Sequence, residues 1–80
     1  MMQVFGWAIN HWIAGIMLPV SPTRVEAIRE YVHSIDRDLG PRGYGSGLEP
    51  HEERAWRRAK RKFDVSAVRV RVELAFKERP

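Results

Sequence analysis

The sequence predicts an α+β fold in which two helices pack on a small antiparallel sheet formed by the apolar N-terminus and a C-terminal strand. Three observations predict it. Val25, Ile28, Val32, Ile35 and Leu39 follow at spacings of three and four, which is one apolar stripe on a helix. Val68, Val70, Val72, Leu74 and Phe76 alternate with Arg69, Arg71, Glu73, Ala75 and Lys77, which is a strand with one buried face. A strand must pair its backbone groups, and the only other strand-like material lies before Ser21.

Eighty residues make a single small domain. A chain of this size buries about 60% of its unfolded surface, so its stability is marginal and a partner chain is more expected than for a larger protein. There is no cysteine, which excludes disulfides and thiolate metal sites.

Residues 1–20 form an apolar segment without a charged residue. Val4, Phe5, Trp7 and Ile9 have strand character. Gly6 and Gly15 disfavour a helix. The reading adopted is two strands, Gln3 to Ile9 and Trp12 to Leu18, joined by a turn at Asn10-His11. The competing reading is a membrane helix over Val4 to Val20. It meets polar Asn10 and His11 at mid-span, and Trp7 and Trp12 lie away from the interfacial positions tryptophans prefer.

The first helix is assigned to residues 21–39. Ser21-Pro22 suits its start, with Thr23 and Glu26 as an alternative capping box. Ala27 and Tyr31 flank the apolar stripe, and Glu26, Arg29, Glu30, His33, Asp36 and Arg37 are expected to face away. Gly40-Pro41 stops it. Residues 40–48 hold four glycines and read as a flexible connector. The second helix is assigned to 49–63. Glu49, Glu52 and Glu53 sit at its positive end and the basic run at its negative end, as the helix dipole favours. Its apolar face is Trp56, Ala59 and Phe63. The closing strand is assigned to 66–77.

Function is read mainly from charge. Fourteen Lys and Arg oppose ten Asp and Glu, for a net charge of +4, and all of the excess lies after Leu48. Arg54, Arg57, Arg58 and Arg61 share one helical face, flanked by Lys60 and Lys62. Like charges at these spacings repel, and an anionic partner relieves them. The expected activity is phosphate contact with nucleic acid, supported by Arg69, Arg71 and Arg42. The alternative is an accessory subunit or inhibitor, of phage or mobile-element type, that docks on a larger protein. A homo-oligomer is a further expected partner arrangement, and a membrane-associated single-span protein is the third reading. The expected address is cytoplasmic, with the inner membrane as alternative.

Catalytic and metal chemistry is not expected. His51-Glu52 begins like a zincin helix, but Ala55 stands where the second histidine belongs. Asp36 and Asp38 lack the further ligands of a calcium loop. Ser46 is not set in a nucleophile elbow. The loop Gly40-Pro41-Arg42-Gly43 resembles the GxxG loop of the KH RNA-binding module. It departs from that family because the second helix does not start at the loop, and no family membership is read from it. No cofactor is expected.

Overall fold

The structure, a computed structural model, describes residues 2–74. Strand β1 (Met2–His11) turns into β2 (Gly15–Ser21), helices α1 (Arg24–Ile35) and α2 (Pro50–Phe63) follow, and β3 (Val65–Leu74) closes the order. The three strands form one antiparallel sheet in the order β2-β1-β3. The apolar N-terminus is thus a hairpin with β1 at the centre of the sheet. Among the described residues, no helix is long and apolar enough to cross a membrane.

The hairpin turn falls two residues later than the sequence suggested. β1 continues through Asn10 and His11, which pair with Ser66 and Val65 of β3. His11 then closes the turn with its side chain: Nδ1 accepts from the backbone N–H of Ile13 (3.2 Å) and Ala14 (3.4 Å). Gly15 completes it at φ +77°, a conformation only glycine adopts without strain.

Helix α1 is shorter than the stripe implies. Ser21 stays in the sheet, opposite Trp7, so the helix begins after Pro22. Thr23 is the cap, its hydroxyl accepting from the Glu26 N–H at 3.1 Å. The helix stops at Ile35 because Asp36 takes up an extended conformation and its carboxylate accepts from the Asp38 N–H at 3.1 Å. This side-chain turn competes with another helical turn. Leu39 therefore reaches the core from a turn, and Ile35 remains 46% exposed.

The core lies between the helices and one face of the sheet. Ala27, Ile28, Tyr31 and Val32 of α1 meet Ala55, Trp56 and Ala59 of α2 above Ile9 and Val65. Tyr31 and Trp56 meet edge to face, with ring centroids 6.1 Å apart. The register of β1 and β3 sets which side of each strand meets the helices. Ile9 faces Ala67 and His11 faces Val65 across the ladder, and Trp7, Ile9, Ala67 and Val65 all contact this core. Successive residues point to opposite faces, so Val68 and Val70 lie on the side away from the helices. That reverses the expected orientation of β3. The valine face is not the one the helices cover, and Arg69 and Arg71 lie on the helix-bearing side. Ala75, Phe76 and Lys77, also assigned to the strand, lie outside the described residues.

Arg29 and Glu52 carry the largest departure from the sequence reading. Arg29 was expected to face away, yet both side chains are 0% exposed. The Arg29 Nε lies 3.2 Å from each Glu52 oxygen. Its remaining nitrogens donate to Glu26 Oε1 (2.8 Å), the Gly45 carbonyl (3.3 Å) and the Gly47 carbonyl (2.8 Å). Glu52 also accepts from the Glu49 N–H (3.0 Å) and the Gly43 N–H (3.1 Å), and His33 Nε2 lies 2.7 Å from it. The glycine-rich connector is therefore anchored at three of its four glycines by one buried ion pair.

Burial by itself pushes the Glu52 carboxyl up. The hydrogen bonds from Glu49, His33, Gly43 and Arg29 outweigh burial and hold it at about 2, against an ordinary 4.5. A depressed folded-state pKa gives stability that is fully present above the unfolded value and lost as pH falls toward the folded value. Chemical denaturation from pH 6 down to pH 2 should therefore show a loss on the order of 3 kcal/mol, concentrated below about pH 4.5. Glu52→Gln should start less stable at pH 6 and lose most of this slope; an unchanged slope in the variant would assign it to other carboxylates.

Candidate nucleic-acid interface

Helix α2 is amphipathic in the strict sense that its two faces differ in chemistry. Glu52, Ala55, Trp56 and Ala59 are buried, and Phe63 continues that face one turn on, packed against the core. At 100° per residue, Arg54, Arg57, Arg58 and Arg61 fall on the opposite side. All four are exposed, as are Lys60 and Lys62. The expected basic face is thus a continuous solvent-facing strip about 10 Å long.

The six cations differ in what they already hold. Arg57 reaches Glu53 one turn back at 3.1 Å, both side chains being more than half exposed. Such a pair is worth a few tenths of a kcal/mol. Lys60 lies over the Trp56 ring at 5.8 Å and Lys62 over the Phe63 ring at 5.3 Å, so their stems cover the edge of the core. Arg54, Arg58 and Arg61 make no ion pair among the described residues. Arg57, Lys60 and Arg61 line a shallow recess, and Arg54 and Arg57 line another beside Leu48 and Pro50.

The supporting cations named from the sequence stand elsewhere. Arg42 is engaged with α1, at 2.9 Å from Glu30 and 3.6 Å from Glu26. Arg69 stacks on the Phe5 ring at 4.7 Å, on the helix-bearing side of the sheet. Arg71 sits opposite Phe5 in the ladder and is also engaged. The structure therefore gathers six of the nine cations on α2 and gives Arg42, Arg69 and Arg71 other contacts.

Sequence reasoning missed the residues that position this helix. Glu52 lies four residues before Trp56, on the apolar face, where a carboxylate is out of place. That misplaced acid was the available signal for a buried partner. Arg29 gave less warning, because it flanks its stripe and is covered only once the connector folds over it.

A cleft between the hairpin and α1, lined by Ile9, Met17, Ala27 and Tyr31 among others, encloses about 100 Å³. Among the described residues, no group of three or more His, Cys, Asp or Glu is arranged to hold a metal ion. Comparison with protein-family models, curated proteins and solved structures finds no match for this chain.

Glycine is required in the connector at Gly40, by its φ of +110°, and at Gly43, by close packing, and not at Gly45 or Gly47. A Cβ on Gly43 would come within 2.7 Å of Glu49 Cγ, 2.8 Å of Glu52 Oε1 and 3.0 Å of the Arg29 guanidinium, whereas one on Gly45 or Gly47 would meet nothing within 4 Å. Gly43→Ala should cost about 1–3 kcal/mol in thermal or chemical unfolding. Gly45→Ala and Gly47→Ala should be neutral or stabilising by up to about 1 kcal/mol. Equal effects at the three positions would contradict the anchored connector.

Proposed function

We propose that this protein is a small nucleic-acid-binding module that contacts backbone phosphates through α2. One observation carries the reading: Arg54, Arg58 and Arg61 stand together on the face of α2 opposite the core, without a carboxylate partner among the described residues. Arg57 joins them through a weak, exposed pair that an incoming phosphate displaces at small cost. Four guanidinium groups on one strip repel one another across i,i+3 and i,i+4 spacings. A polyanion removes that repulsion and releases its own counterions. Arginine suits the task because its planar fork donates two parallel hydrogen bonds to a phosphate and keeps its charge at any working pH.

The reading also fixes what is not supplied. Phosphate contacts position a protein on nucleic acid and carry no sequence information. Arg42 is occupied by α1 and Arg69 by Phe5, so affinity rests on α2.

Fluorescence anisotropy with a labelled oligonucleotide, single-stranded and duplex, tests the reading across a salt series. Four phosphate contacts give a slope of log K against log salt of about −3 to −4, or roughly 100-fold weaker duplex binding between 50 and 200 mM salt. Replacing Arg54, Arg57, Arg58 and Arg61 with Gln together should flatten the slope and abolish measurable binding, with the circular dichroism spectrum unchanged. Absence of binding by the native protein at low salt, or full binding by the variant, would refute the proposal.

A further inference from the structure

Three large apolar side chains stand uncovered at the tip of the β1–β2 hairpin. Trp12 and Ile13 are 65% and 71% exposed, and Ile16 beside them is 48% exposed. The ladder between β1 and β3 ends at His11 and Val65, so residues 12–14 lie beyond its last rung. The first Asp, Glu, Lys or Arg of the chain is Arg24, so the tip carries no formal charge. The backbone N–H groups of Ile13 and Ala14 already donate to His11 Nδ1. Moving the tip out of water therefore leaves neither donor unpaired.

The same register brings cations to this end of the molecule. Val65, opposite His11, follows directly on α2, whose last turn holds Lys60, Arg61 and Lys62, all exposed. α1 ends here as well, because Ile35 and Asp36 line a recess with Arg58, Lys62 and Phe63. Residues 58–64 hold four cations and one acid, and residues 36–38 add two acids and one cation. The end as a whole has an excess of two positive charges.

We infer that this end of the molecule docks on the surface of an anionic lipid bilayer, with Trp12 and Ile13 inserted at the level of the headgroups. Three arguments select a bilayer. The first is size. A specific protein interface takes about 800 Å² and 20–30 residues from each partner, and three side chains on a hairpin tip fall far short of that. A bilayer needs no matching shape, and its hold grows with whatever apolar area enters it. The second is chemistry. Tryptophan favours the headgroup level, where its ring leaves water and its N–H keeps a polar partner. The uncharged tip drives no ionised side chain toward the hydrocarbon. The third is charge. The cations of the α2 end stand beside the tip, where the negative potential of an anionic leaflet attracts them. A wedge this small holds weakly and reversibly. The inference does not rest on the proposed function, because the inserted residues belong to the hairpin and not to α2.

Co-sedimentation of the full chain with phosphatidylcholine vesicles containing about one-third phosphatidylglycerol tests the inference. The expected result is binding that is stronger than to phosphatidylcholine alone, with a blue shift of tryptophan emission. Trp12→Ser with Ile13→Ser should weaken vesicle binding at least about ten-fold and remove the blue shift. Both sites are exposed enough to tolerate the change, and the circular dichroism spectrum reports whether the variant has folded. The variant should keep whatever oligonucleotide binding the native chain has, which separates this test from that of the proposed function. A native chain that leaves anionic vesicles unbound would overturn the inference, whichever protein the tip then meets. Vesicle binding that the folded tip variant retains in full would overturn it too, and would assign the contact to α2 alone.

Discussion

A guanidinium and a carboxylate, both wholly withdrawn from water, join the two helices of this protein. Taking the charges of Arg29 and Glu52 out of water costs several kcal/mol each, and their mutual attraction offsets that only when the remaining polar groups are satisfied. Here they are. Every nitrogen of Arg29 and both oxygens of Glu52 have partners, and those partners are largely the backbone of the connector. A glycine-rich segment that packs on the core through Leu48 is thereby also fixed from beneath. His33 and Glu26 extend the cluster, and Arg42 links it to the surface through Glu26 and Glu30. With the connector fixed, the azimuth of α2 is fixed too. Glu52 points inward, so Arg54, Arg58 and Arg61 must point outward.

The same residue type therefore has two fates in one small chain. Arg29 is a structural cross-link with carboxylate and carbonyl partners, and Arg42 an outlying member of its network. Among the described residues, Arg54, Arg58 and Arg61 of α2 make no ion pair, and Arg57 makes one exposed pair with Glu53. That division is what separates a basic composition from an exposed basic surface. The charge pattern alone did not separate them fully, since it grouped Arg42, which pairs with Glu30 and Glu26, with the arginines of α2.

Much of the fold was legible because it follows from periodicity. The stripe of α1, the acid-to-base gradient of α2 and the alternation of β3 each specify an element. The need of β3 for a pairing partner correctly turned the apolar N-terminus into strands. The strand ends were less legible, because side chains set them: His11 caps the hairpin turn, and Asp36 ends α1 four residues before the Gly-Pro that was expected to do so. Two features could not be read from one-dimensional pattern at all. The burial of Arg29 depends on a contact 23 residues away. The orientation of β3 depends on register with β1, and a shift of one residue exchanges the faces. Alternation shows that one face of β3 is apolar without showing what covers it. In this fold Val68 and Val70 turn away from the helices and are partly buried there, on the face where Ala8 is wholly buried.

The central claim, that the Arg29–Glu52 pair organises the helices and connector, is tested most directly by a double-mutant cycle on unfolding free energy. Arg29→Met and Glu52→Met each leave a buried charge without its partner, at a cost of about 3–5 kcal/mol. The double variant removes both charges, and should be more stable than the sum of the single losses by about 2–3 kcal/mol. Additivity within about 0.5 kcal/mol would show that the two residues act independently, and would contradict the account.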